Sequence, residues 1–256
     1  REHLRNLPLI VEHVFLDANK TFNDIEVIVA TAGPGLLGAL LMGHTYGKGL
    51  AIASVKPFLP INHIEGHIWA PFLDNAEFKD PFLCIVVSGL HTEIVKVSGF
   101  GKYEYLSRTI DDAVGEAFDK SSYLLGFPYP GGAKLAEVAD EFAKKFGDDF
   151  VSEKFVLPKV MNNDVNFSFS GLKTAISLLI KKSNIDESTK PELCFVIQKT
   201  IVDLLIIKLK EAILVSGIKN IALTGGVSAN KRLRQEIAKI PDINLVMPDM
   251  RHCTDN

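Results

Sequence analysis

The chain has 256 residues, 47% of them hydrophobic and 23% charged, with a formal net charge of −3. That is the balance of a globular chain with ample material for a core, long enough for two lobes or one large domain. It excludes a molecule that attracts nucleic acid by overall charge, so any basic surface must be local or supplied by a partner.

Three cysteines, Cys84, Cys194 and Cys253, have no CxxC spacing. This argues against a disulfide framework or a cysteine-based zinc knuckle and favours a reducing compartment. No apolar run approaches the ~20 residues of a membrane span, and no signal peptide is visible. The expected location is therefore the cytoplasm or an organelle matrix. The chain opens on Arg1 and closes on "RHCTDN", which suggests a piece of a longer protein.

Residues 25–31, "IEVIVAT", form the first expected strand. "AGPGLLGALLMGHTYGKGLAIA" then reads as a loop feeding a glycine-rich helix against which something packs closely. "NHIEGHIWAPFL" is a short helix ending before Pro71. "FLCIVVSGLHTEIVKVSG" is a hairpin with a Ser-Gly turn, and "YEYLSRT" adds a third strand. Helices are expected over 111–125 and 131–146, then over "FSFSGLKTAISLLIKK" with Ser170 as N-cap. A long helix with an apolar face follows from Lys190 and stops at Gly217. "IKNIALTGGVSANKRLRQEIAKI" is strand, Gly-Gly turn, helix, and "INLVMP" is a last strand. Strands and helices interleave, and two strands end in glycine turns. This pattern indicates an α/β fold with ligands bound where strands pass into loops.

His63 and His67 stand four residues apart. On a helix they share a face at about 5–6 Å between Cβ atoms, a spacing that suits one shared metal. The plainer reading is a pair of surface or capping histidines. Glu65 lies about 200° around the helix from His63, unlike the glutamate of either metalloprotease arrangement, so a protease would lack its base. A third ligand must come from elsewhere. Asp255 in "CTDN" is a candidate, against the plainer reading of a loose aspartate.

The turn "VVSGLHT" is either an anion-binding nest or an ordinary hairpin end. "LTGGVSAN" brings backbone and a helix N-terminus to a ligand, without GxGxxG or GKS/T patterns. "DDAVGEAFDK" packs four acids into ten residues. Asp111 and Asp112 suit a helix start, whereas Asp119 lies too far in for the dipole and suits a ribose diol. "YPGG" is most simply a turn.

In this order "GPGLLGAL", "NHIEGHIWA", "VSGLHT", "DDAVGEAFDK…LLGFPYPGG", "FSFSGLKTA", "TGGVSAN" and "CTDN" resemble the tRNA threonylcarbamoyladenosine transferases of the bacterial TsaD type, from about Val27 to Asn256. The resemblance implies an actin/Hsp70/sugar-kinase-like two-lobed α/β fold, with residues 1–78 in the first lobe and 79–256 in the second. It implies transfer of a threonylcarbamoyl group from threonylcarbamoyl-AMP to N6 of adenosine 37, in tRNAs reading codons that begin with A. His63, His67 and Asp255 match the family's ligands to one divalent metal, iron or zinc. Val86, Val87, Ser88, Gly89, Leu90, Asp119, Gly132 and Asn230 match its contacts to the acyl-adenylate, and no separate catalytic side chain is assigned. Expected partners are tRNA, a paralogous subunit and a small ATPase, with no membrane. Leu90 stands where the family usually has glycine, which raises the expectation of crowding and of backbone strain. The alternatives are a metal-dependent glycoprotein endopeptidase, an ATP-dependent phosphotransferase of the same fold, and a non-catalytic scaffold.

Overall fold

The structure is a computed structural model and describes residues 2–73, 80–158, 164–183 and 185–253. It divides into two compact units, residues 1–67 and 68–256. The sequence suggested a boundary at residue 78, and the structure puts it inside a short helix.

The first unit opens with helix α1, Glu2–Ala18, which the sequence reading left unassigned. Strand β1, Ile28–Gly33, helix α2, Leu37–Ser54, and strand β2, Phe58–Asn62, then form a parallel β-α-β unit, with Ile28 paired to Phe58 and Thr31 to Ile61. β2 also escaped the sequence reading, because Pro60 sits within it and prolines demote a run from strand status. The glycine-rich helix does receive a close neighbour: at Gly47 a Cβ would lie 3.1 Å from the Phe58 ring. Helix α3, His63–Trp69, follows directly. Asn62 starts it by accepting from the amides of Ile64 at 2.9 Å and Glu65 at 3.3 Å, an asparagine in its favoured capping role.

The second unit is built on one mixed sheet. Its strands are β3, Phe82–Val87, β4, Thr92–Val97, β5, Tyr103–Arg108, β6, Asn220–Thr224, and β7, Asn244–Val246, in the order β5-β4-β3-β6-β7. β3 pairs antiparallel with β4 and parallel with β6. Every residue of β3 is buried, the mark of a central strand covered on both faces. The helices are α4, Val114–Leu124, α5, Gly132–Phe146, α6, Ser170–Lys182, α7, Lys190–Ser216, and α8, Lys231–Ala238. Leu83, Ile85 and Val87 join the core cluster that also holds Phe195, Ile201 and Leu205 of α7. α7 ends where its glycine predicts, with Gly217 at φ 69°. A separate aromatic corner joins Trp69 to Phe72, Phe82 and Phe100, and the indole N–H of Trp69 donates to the Tyr103 hydroxyl at 3.0 Å.

Two helix starts differ from expectation for one reason. α4 begins at Val114, three residues late, because its first amides are taken by other elements: Val114 N–H donates to Thr92 Oγ1 at 2.8 Å and Gly115 N–H to the Ser88 carbonyl at 3.1 Å. Asp111, released from that helix, serves α6 instead. Its carboxylate accepts from Phe169 N–H at 2.7 Å and from the hydroxyls of Ser168 at 2.6 Å and Ser170 at 2.8 Å. Ser170 is therefore the first helical residue and not the N-cap, and the cap carboxylate comes from 59 positions away. Asp112 pairs with Lys120 at 2.7 Å, and Glu116 joins the same lysine.

Candidate functional site

β3 and β6 run parallel, with Val86 opposite Thr224, so both strands deliver their loops to one edge of the sheet. That edge is where open α/β sheets bind ligands.

The loop after β3 is a tight turn in which Ser88 N–H donates to the His91 carbonyl at 2.8 Å. The Ser88 hydroxyl accepts from His91 N–H at 3.1 Å and Leu90 N–H at 3.4 Å. Two of the amides expected to face an anion are thus held within the turn, a common use of serine. Val86 and Val87 are 0% exposed and belong to the sheet, and Ser88 is buried. Among these five residues, Gly89 lines the neighbouring cavity, while half-exposed Leu90 is outside its lining. Leu90 is not among the left-handed residues Asn19, Val55 and Asp242, so leucine sits there without the strain expected of it.

The loop after β6 approaches that turn closely. Gly225 has φ 91°, and a Cβ on it would lie 2.5 Å from the Val87 carbonyl oxygen. Only glycine meets both demands. A 3₁₀ turn, Gly226–Ala229, leads to Asn230, whose Oδ1 accepts from Leu233 N–H at 2.9 Å and caps α8. From the other side α4 seats on the β3–β4 turn through Gly115, where a Cβ would stand 2.7 Å from Gly89 Cα.

Asp119 of α4 reaches the start of α5. Its Oδ1 accepts from Gly131 N–H at 3.0 Å and Gly132 N–H at 2.7 Å. Two donors that a helix start leaves without helical partners are satisfied by a carboxylate, which also suits the positive end of the helix dipole. This bracing role was not read from the sequence; Oδ2 makes no hydrogen bond to a described residue and remains an acceptor.

Together these segments enclose a cavity of about 570 Å³, lined by Gly89, Asp119, Gly132, Asp140, Gly226 and Asn230 among others. That volume suits a small-molecule ligand. Four residues matched by the resemblance, Gly89, Asp119, Gly132 and Asn230, meet here. The sequence reading missed two others. Asp140 lines the cavity, and Gln198, buried in the middle of α7, donates from Nε2 to Asp140 Oδ1 at 2.8 Å and accepts from Asn230 Nδ2 at 2.9 Å. The available signal was the single glutamine of α7, which follows the apolar run Leu193–Ile197.

No activated thiol stands in this unit at β3 or α7. Burial pushes the Cys194 thiol up to about 12 and raises that of Cys84 as well, so neither forms a reactive thiolate at neutral pH. Burial works to raise the Asp111 carboxyl, but hydrogen bonds from Ser168, Phe169 and Ser170 together hold it below the ordinary carboxylate value.

On α3, the rings of His63 and His67 stand edge to face with centroids 4.6 Å apart. The i,i+4 spacing thus brings the two imidazoles side by side, His67 buried and His63 half-buried. Glu65 falls on another side of the helix by period. Asp255 lies outside the described residues, and these hold no cluster of three or more metal-ligating side chains.

The fold is α/β of the actin/Hsp70/sugar-kinase type. HypF of T. kodakarensis superposes with a TM-score of 0.67 at 13% identity, over 91% of this chain and 39% of that one. The family model for TsaD, tRNA N6-adenosine threonylcarbamoyltransferase, matches residues 1–256, and the chain belongs to that family. The tRNA N6-adenosine threonylcarbamoyltransferase of Dichelobacter nodosus is 42% identical over 261 residues, which cover this whole chain and 74% of the relative. That of Neisseria meningitidis is 39% identical over 280 residues, covering the whole chain and 77% of the relative.

Proposed function

We propose that this chain transfers a threonylcarbamoyl group from threonylcarbamoyl-AMP to N6 of adenosine 37, in tRNAs reading codons that begin with A. The reading rests on the convergence of Gly89, Asp119, Gly132 and Asn230 on one cavity in a member of this family. In this reading the first amides of the Gly226–Ala229 turn donate to the adenylate phosphate, since the first amides of a 3₁₀ segment have no helical acceptor. Asp119 Oδ2 accepts from a ribose hydroxyl while Oδ1 stays on the α5 amides.

The chemistry asks for alignment more than activation. An exocyclic adenine amine is a weak nucleophile, but the donor is a mixed anhydride with a good leaving group. N6 attacks the carbamoyl carbon, the carbon–oxygen bond to phosphate breaks, AMP leaves with the electron pair, and the N6 proton passes to solvent. Fixing the adenylate and stabilising developing charge supply the rate. No nucleophilic side chain is required, in keeping with the raised thiols of Cys84 and Cys194.

We assign His63, His67 and Asp255 to one divalent ion, iron or zinc. Two imidazoles and a carboxylate suit either, and the ring pair has the closeness that sharing requires. When bound, the ion supplies Lewis acidity toward donor oxygens. A paralogous subunit and a small ATPase are the proposed protein partners, and the cytoplasm or an organelle matrix the proposed location. The described residues contain no helix long and apolar enough to cross a membrane.

The test is direct. Incubation with partner proteins, threonylcarbamoyl-AMP and unmodified tRNA, followed by mass spectrometry of the nucleosides, is expected to yield threonylcarbamoyladenosine and one AMP per transfer. Unchanged tRNA beside intact donor would refute the proposal.

A further inference from the structure

The cavity has a wall that the phosphate and ribose contacts do not use. Beyond Asp119 and Gly132 it continues along α5 past Glu137 to Asp140. At 1.5 Å per residue, Asp140 lies about 12 Å along the helix from Gly132. A mononucleotide with its phosphate at the Gly226–Ala229 turn and its ribose at Asp119 would find this part of the cavity open to its base. Glu137 is paired with Lys134 at 2.8 Å. Asp140 differs from it, because its carboxylate is tied inward to an amide.

That amide belongs to Gln198, which is 1% exposed and sits among the 0%-exposed residues Phe195, Ile197, Ile201 and Val202. A buried amide is costly unless bonded, and here both its ends are used. Nε2 donates to Asp140 Oδ1 at 2.8 Å, and Oε1 accepts from Asn230 Nδ2 at 2.9 Å. Asn230 Oδ1 is in turn committed to Leu233 N–H at 2.9 Å. The direction of every bond follows from this, since a carboxylate can only accept and the α8 amide can only donate. α5, α7 and α8 are thereby locked together around the cavity. Asp140 retains Oδ2, an acceptor with no other hydrogen-bond partner among the described residues.

We infer that Asp140, held in place by Gln198, is the specificity-determining acceptor that selects a 6-amino purine nucleotide over a 6-oxo one. The inference rests on the adenylate reading of the cavity. Placed at the 6-position, a carboxylate receives the N–H of an adenine amino group and repels the carbonyl oxygen that guanine carries there. Gln198 touches no ligand; it is a positioning residue that keeps the carboxylate aimed and the Asn230 cap in register.

Calorimetric titration of the chain with AMP and with GMP tests this. The unaltered chain is expected to bind AMP about tenfold or more tightly than GMP. Asp140→Asn is expected to bring that ratio to about one or invert it, because Gln198 fixes the amide oxygen inward and turns its N–H₂ toward the base. Gln198→Met, of similar length and without the amide, is expected to shrink the ratio, which a merely stabilising residue would not do. Asp119→Asn is expected to weaken both nucleotides alike. An unchanged ratio in Asp140→Asn overturns the inference, while a parallel loss in Asp119→Asn leaves the adenylate reading standing. An unchanged ratio in a folded Gln198→Met overturns the positioning role, and if that variant does not fold, Asp140→Asn decides. Binding of neither nucleotide by the unaltered chain sinks the adenylate reading and this inference with it.

Discussion

The imidazole pair on α3 and the cavity of the second unit are assembled in opposite ways. His63 and His67 are neighbours because four helical residues separate them, and little else is needed to bring their rings within 4.6 Å. The cavity draws on the β3–β4 turn, α4, α5, α7 and the start of α8, and each depends on close contact with another. A local site tolerates damage elsewhere in the chain, whereas a convergent site fails wherever one contact is blocked.

The largest test of that contrast is Gly225→Val. It places a side chain at φ 91° and within 2.5 Å of the Val87 carbonyl oxygen. Strain and overlap together are expected to cost at least about 3 kcal/mol, seen as a lowered urea midpoint or an insoluble chain. A midpoint within error of the parent would break the picture of a convergent edge. At the local site, His63→Ala is expected to lower bound iron or zinc, measured by elemental analysis, by about tenfold or more, with the circular dichroism spectrum unchanged. Retained metal would remove the imidazole pair from the assignment.

Asp111→Ala is an intermediate case, since it removes a long-range cap from α6. About 1–2 kcal/mol is expected from thermal unfolding. The carboxyl is held below its unfolded value of 3.8. Its contribution is therefore full above that value and is lost as pH falls through the lower folded one. The Asp111→Ala deficit should shrink at acid pH, and a constant deficit would argue against a charged cap. Leu90→Ala is the smallest change. Leu90 is half-exposed, outside the cavity lining and free of left-handed strain. Stability is expected within about 0.5 kcal/mol of the parent and tRNA modification within about twofold. A large gain would mean that the side chain obstructs the ligand.

The same contrast explains what could be read from residues alone. The histidine pair, the α7 stop at Gly217 and the two strands that end in glycine turns follow from period and composition, which short stretches carry. The α4 start was misplaced because Thr92 and Ser88, on other elements, take its first amides. Asp111 was assigned to the nearest helix when it caps a distant one, and local spacing cannot distinguish those partners. β2 was hidden by its own proline. Gln198 went unnoticed because, followed by Lys199 and Thr200, it reads as part of a polar helix face; its meaning appears only when Asp140 and Asn230 arrive beside it.

Trp69 is the molecule's one tryptophan, and it closes α3 two residues after His67. Packed against Phe72, Phe82 and Phe100 with its N–H on Tyr103, it is a ready-made fluorophore at that corner. Its emission therefore reports the end of the histidine helix without any label, and a red shift would time the release of that helix end during unfolding.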